Sequence, residues 1–72
     1  LRRAKALAKK GYVSRAIQEL QQLKIENPRN TNAILQLGLL HYSNGNILDA
    51  ELEWEMALAI DGQNKEAKSY LQ

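Results

Sequence analysis

The most constraining feature of this 72-residue chain is that it matches itself when it is shifted by 34 positions. The matches include two turn glycines, small Ala residues and two Asn residues between predicted helices. The identical pairs are Leu1 and Leu35, Gly11 and Gly45, Ala16 and Ala50, Glu19 and Glu53, Asn30 and Asn64, Ala33 and Ala67, and Leu37 and Leu71. This period is typical of a repeated helical hairpin, which buries its apolar face only by stacking on a neighbour.

Turn residues divide the chain into five predicted helices. The breaks fall at Gly11, Asn27-Pro28, Asn44-Gly45-Asn46 and Asp61-Gly62. The helices are predicted at about 1–10, 14–26, 31–43, 47–60 and 64–72. Ser14 is predicted as the N-cap of the second helix, and Asn46 with Asp49 resembles a capping box at the start of the fourth.

The fourth segment could also be interpreted as a strand, because acidic residues alternate at positions 49, 51, 53 and 55. However, Ala50, Trp54, Ala57 and Leu58 follow helical spacing, and the segment is long for a strand. The third segment has almost no polar face, so it must be covered on more than one side. We therefore predict an all-α fold in one domain.

Residues 31–64 carry small, turn and aromatic residues at the offsets of a known repeat. These residues are Leu37-Gly38, Gly45, Ala50, Trp54, Ala57-Leu58 and Asp61. The segment resembles the tetratricopeptide repeat (TPR) family, with Ile34, His41 and Gly62 replacing the usual Trp, Tyr and Pro. Residues 1–30 resemble a first repeat without its start, and residues 65–72 a partial third repeat or a capping helix. The resemblance implies a right-handed superhelix of antiparallel hairpins.

The resemblance also directs attention to the first helix of each hairpin, which lines the concave, ligand-facing side in this family. The resulting partner-binding candidates are Arg2, Lys5, Lys9, Asn32, Leu35, Gln36, Leu39 and Tyr42. They predict a groove with an apolar floor and a basic rim, suited to an acidic or amphipathic peptide. The alternative is that Leu35 and Leu39 are covered by neighbouring helices or by a further repeat.

A second binding mode of the family grips the C-terminal carboxylate of heat-shock chaperones with Lys, Asn and Arg residues. Here Leu1 and Glu66 stand at two Lys positions, Gln36 at an Asn position and Tyr70 at the Arg position. We therefore do not expect this carboxylate clamp.

Residues suited to catalysis or to cofactor binding are scarce. His41 is the only His and there is no Cys, so no metal or acid–base constellation is recognisable. The acids of the fourth helix are spaced as like-charged neighbours on a solvated face. Phosphate-binding loops and nucleophile motifs are absent, and no apolar run reaches the roughly 18 residues of a membrane span. We expect a non-enzymatic protein without cofactors that does not insert directly into a membrane.

The charges are divided unequally along the chain. Residues 1–30 carry eight Lys or Arg and two Glu, a charge of +6, whereas residues 31–72 carry two Lys and six acids, a charge of −4. Such halves could attract each other between copies, so homo-oligomerisation is the alternative function. Nucleic-acid binding is not expected, because the basic stretch from Arg2 to Lys10 has no stacking aromatic residue beyond Tyr12.

Overall fold

The computed structural model describes all residues from 1 to 72 and consists of five α-helices joined by short turns. The helices are α1 (Arg2–Lys9), α2 (Val13–Glu26), α3 (Thr31–Ser43), α4 (Ile47–Ile60) and α5 (Lys65–Leu71). No residue lies in a strand, so the predicted all-α class is confirmed. The acidic segment after Asn46 is helical, because its apolar residues at helical spacing face the core.

Each helix packs mainly against its neighbours in sequence, and the most extensive contact joins α3 to α4. Two groups of buried side chains result. The first holds Ala4, Leu20, Ala33 and Leu37, and the second holds Ile34, Leu35, Ala50, Trp54, Ala57 and Ala67. Because α3 contributes to both groups, it is covered on two sides, as its nearly continuous apolar sequence predicts.

Backbone hydrogen bonds at the turns recur with the 34-residue offset of the sequence. In both hairpins a glycine with positive φ reverses the chain, Gly11 at 94° and Gly45 at 84°. The amide of each glycine donates to the carbonyl three residues earlier, Gly11 to Ala8 and Gly45 to Tyr42, both at 3.0 Å. The amide of the next residue donates to the carbonyl five residues earlier, Tyr12 to Leu7 and Asn46 to His41, both at 2.8 Å. The two turns between paired helices therefore share one geometry, which Gly adopts without the steric cost of a Cβ.

The helices that follow the longer connections begin with the same side-chain cap. Asn30 Oδ1 accepts a hydrogen bond from the Ala33 amide at 3.2 Å, and Asn64 Oδ1 accepts one from the Ala67 amide at 2.9 Å. Each bond satisfies an amide that has no partner within its helix. The repeated Asn residues thus have the same structural role 34 positions apart.

The predicted caps of α2 and α4 are wrong in detail. Tyr12 holds the N-cap position of α2, so Ser14 lies inside the helix, because the Tyr12 carbonyl already accepts the Ala16 amide at 3.0 Å. Asn46 does hold the N-cap position of α4, but its side chain makes no capping hydrogen bond. These two helices therefore begin directly from the glycine turn.

Candidate functional site

A small pocket opens where α1, α2 and α3 meet. It has a volume of about 130 Å³. Its lining residues are Ala4, Lys5 and Ala8 of α1, Leu20 of α2, and Gln36 and Leu40 of α3. Ala4 and Ala8 are one helical turn apart on the same face, so their short side chains leave space between the helices. The pocket therefore has an apolar wall with two polar side chains at its border.

The two polar lining residues have no partners within the chain. Lys5 is exposed and forms no ion pair, since the only ion pairs join Arg3 to Glu19 and Lys24 to Glu53. Gln36 is half-buried, and its side-chain amide makes no hydrogen bond. Both groups are thus available to a molecule that enters the pocket.

The other predicted polar residues are also accessible. Arg2, Lys9 and Asn32 are exposed, and positions 2, 5 and 9 fall on one face of α1. Neither Arg2 nor Lys9 forms an ion pair within the chain. Three free cations therefore lie along one side of the pocket-bearing helix.

The prediction that Leu35 lines an open groove floor is wrong. Its relative exposure is only 1%, and it belongs to the buried group that contains Ala67. Leu39 is half-buried against the same group, with Tyr70 and Leu71 of α5 packed nearby. Leu35 is therefore covered by neighbouring helices, because it shares its buried group with Ala50, Trp54 and Ala57 of α4 as well as with Ala67 of α5.

Tyr42 remains accessible and belongs to a row of aromatic rings that crosses three helices. It is 56% exposed, and its ring centroid lies 6.0 Å from that of Trp54. Trp54 in turn lies 5.1 Å from the ring of Tyr70. This row ends in an exposed phenol at the edge of α3, where a partner could contact it.

Sequence reasoning did not identify Ala4, Ala8, Leu20 and Leu40 as pocket residues. The pair of Ala residues four positions apart on α1 was the available signal, because such spacing leaves a gap on one face. Whether these Ala residues line a pocket still depended on how α1 packs against α3. Of the eight predicted residues, only Lys5 and Gln36 line the pocket itself.

The polar groups of the chain are not gathered as they would be in a metal site. No group of three or more His, Cys, Asp or Glu side chains is placed to hold a metal ion. His41 is 9% exposed, and its Nδ1 has no hydrogen-bond partner, as is also true of Trp54 Nε1. None of the five helices combines the length and apolar character needed to cross a bilayer.

No protein-family model matches the sequence of this chain, and no curated protein is significantly similar to it.

Proposed function

We propose that this chain is a TPR-like interaction module that binds a peptide or helix of a partner protein along α1 and α3. In this proposal the hairpins form a right-handed superhelix, and the first helices of the hairpins line its concave face. The observation that carries the proposal is the open pocket beside Lys5 and Gln36, whose polar groups have no partner in the chain. The recurrence of turn geometry every 34 residues supports the kinship with TPR hairpins.

The pocket has room for one aliphatic side chain of a ligand. Its wall of Ala4, Ala8, Leu20 and Leu40 is apolar, so a Leu, Ile or Met side chain would lose contact with water there. Burial of such a side chain contributes about 1.5–3 kcal/mol before the costs of association. That is enough to anchor a peptide but not to bind it tightly.

Free cations of α1 add a preference for acidic ligands. Lys5 lies at the pocket, and Arg2 and Lys9 extend the positive charge along the same face. Each exposed ion pair contributes roughly 0–1 kcal/mol and is screened by salt. The expected ligand therefore has an apolar anchor with carboxylates beside it, and it binds more weakly as salt concentration rises.

The exposed edge of Tyr42 extends the contact beyond the pocket. A ring that is apolar on its faces and polar at its hydroxyl suits a partly wet interface. An amphipathic segment that reaches from the pocket towards Tyr42 would extend along α3 for less than about two turns. The proposed function is non-catalytic, since the single imidazole of His41 lies in the helix-packing layer and has no acid or nucleophile as partner.

The test is a titration of the labelled chain with an acidic peptide that carries one central Leu, followed by amide chemical shifts. We expect shifts in α1 and α3 around Lys5 and Gln36. Ala8→Leu should fill the pocket and weaken binding about tenfold, which corresponds to about 1.4 kcal/mol. Ala6→Leu is the matched control, because Ala6 is exposed on the same helix and does not line the pocket.

A charge test uses Lys5→Gln, with Lys10→Gln as the control outside the pocket. The first variant should lose affinity and part of the salt dependence, and the second should change neither by more than about twofold. Shifts confined to α2 and α4, or equal affinity of the Ala8→Leu and Ala6→Leu variants, would contradict the proposal.

A further inference from the structure

Helix α4 exposes a row of large apolar side chains on the side that faces away from the core. Leu48 is 76% exposed, Leu52 58% and Met56 40%. They are spaced by four residues, so they form one continuous stripe along the helix. Since Ala50, Trp54 and Ala57 fill the buried side, α4 is apolar on two opposite faces. A helix with this pattern normally has a partner on both faces.

The stripe is not a requirement of hairpin stacking. The equivalent positions in α2, 34 residues earlier, hold Ser14, Gln18 and Gln22. All three are exposed, although α3 and α4 are stacked on that hairpin. A further hairpin stacked in the same way on α3 and α4 would therefore leave Leu48, Leu52 and Met56 accessible too. Packing of the fold therefore does not account for the apolar side chains at these three exposed positions of α4.

The unpaired charges that border the stripe are all negative, because the one bordering cation, Lys24, whose Nζ lies 3.6 Å from Met56 Sδ, is paired with Glu53. Asp49, Glu51 and Glu55 are exposed, and each lies three or four residues from Leu48 or Leu52. None of the three forms an ion pair, because Lys24 pairs with Glu53 instead, with Nζ 3.0 Å from Oε1. Helix α4 contains no Lys or Arg of its own. Thus three free carboxylates flank an apolar row.

We propose that this outward face of α4 is a second docking surface, and that it binds an amphipathic helix of another protein whose apolar row is flanked by Lys or Arg. Leu48, Leu52 and Met56 would supply the apolar contact, and Asp49, Glu51 and Glu55 would select the basic flanks. The partner is expected to be basic because its positive charges would complement the free carboxylates beside the stripe. An acidic ligand of the kind proposed for α1 and α3 would be repelled here, so the two surfaces recruit partners of opposite charge.

A second copy of this chain fits the surface poorly. If the α4 faces of two copies packed against each other, the carboxylates of one copy would lie against those of the other and repel them. The basic first hairpin has the right charge, but Ala6 is the only exposed apolar residue of α1. The hairpin's large exposed apolar side chains, Tyr12 and Ile25, lie at opposite ends of α2 and form no continuous row that could cover Leu and Met side chains. The occupant is therefore a different chain with a larger apolar stripe.

The test uses a synthetic helical peptide of about four turns with Leu at every third or fourth position and Lys at the flanking positions. Its binding to the full chain is followed by amide chemical shifts and by calorimetry. We expect shifts centred on the outward residues of α4. A peptide with Glu in place of every Lys is the charge control and should bind at least about tenfold more weakly.

The decisive variant is Leu48→Ser/Leu52→Gln/Met56→Gln, which gives α4 the residues that α2 carries at the same positions. It should keep the helical circular dichroism spectrum and weaken binding of the Lys peptide at least about tenfold, or about 1.4 kcal/mol. If this variant does not fold, Leu48→Gln alone is tested, because Leu48 is the most exposed of the three. Glu51→Gln/Glu55→Gln should reduce the salt dependence of binding.

Several outcomes would overturn the proposal. Equal affinity of the wild type and the triple variant, equal binding of the Lys and Glu peptides, or shifts restricted to α1 and α3 would each do so. Sedimentation of the wild type as a dimer and of the triple variant as a monomer would assign the surface to a second copy. Stripe-dependent binding to phosphatidylcholine vesicles, without binding of the Lys peptide, would assign it to lipid.

Discussion

Gly38 of α3 lies directly against the indole ring of Trp54 in α4. A Cβ at position 38 would lie 2.6 Å from Trp54 Cδ1 and 2.9 Å from Cε2, and it would overlap with Nε1 as well. The indole is 4% exposed and is held on its other sides by Tyr42 and Tyr70. The absence of a side chain at position 38 therefore sets how closely the two central helices approach.

Gly38→Ala should destabilise the chain by about 1–3 kcal/mol in urea unfolding, because the indole cannot move away without disturbing its neighbours. The loss should occur although Ala favours helices over Gly by about 1 kcal/mol. Gly62→Ala is the control, since the nearest atom to its Cβ would be Leu58 O at 3.8 Å. Unchanged or higher stability of Gly38→Ala would show that the helices can separate at little cost.

Ala50→Leu should cost about 1–3 kcal/mol, because Ala50 is completely buried between helices and the added atoms have no space. The measurement is the free energy of unfolding, with the thermal midpoint as a second readout. Ala59→Leu provides the matched comparison on an exposed position of the same helix and should change stability by less than about 0.5 kcal/mol. A midpoint for Ala50→Leu equal to that of the wild type would be incompatible with the packing of α4.

Asn30→Ala should destabilise the chain by about 1 kcal/mol, because it removes the side-chain acceptor of the Ala33 amide. Asn46→Ala should cost clearly less, since the Asn46 side chain makes no capping hydrogen bond. Urea unfolding of the two variants side by side checks the difference. Equal losses would indicate that the two helices are capped alike in solution.

The two ion pairs should differ in strength. Lys24 and Glu53 join α2 to α4 with side chains that are 26% and 13% exposed, whereas Arg3 and Glu19 join α1 to α2 at 71% and 40%. Double-mutant cycles with Lys24→Met/Glu53→Gln and with Arg3→Met/Glu19→Gln measure the coupling energies. We expect a coupling energy of about 1 kcal/mol or more for Lys24–Glu53 and of at most about a few tenths of a kcal/mol for Arg3–Glu19. Only the exposed Arg3–Glu19 pair should depend markedly on salt concentration. A stronger Arg3–Glu19 coupling would reverse this ranking.

The sequence alone determined the five helices and their hairpin period, because these depend on local chemistry. Gly11 and Gly45 permit a positive φ and Pro28 ends a helix, so each acts on the backbone nearby. The cap at Asn30 was not predicted and is a finding of the structure. The predicted bounds of α3 and α4 agree with the structure. Each of the other three helices differs from its predicted bounds by one residue, at one end or at both. Ser14 failed as a cap because the turn at Gly11 already starts the helix at Val13.

Only the tertiary structure decided which side chains are accessible. Leu35, Leu39 and Tyr42 share a helical stripe in the sequence, yet Leu35 is buried among residues of α4 and α5 whereas Tyr42 stays exposed. The pocket beside Lys5 likewise depends on how α1, α2 and α3 meet. Helix formation follows from interactions within a few residues, whereas burial is set by contacts between segments distant in the chain, which periodicity on one helix does not specify.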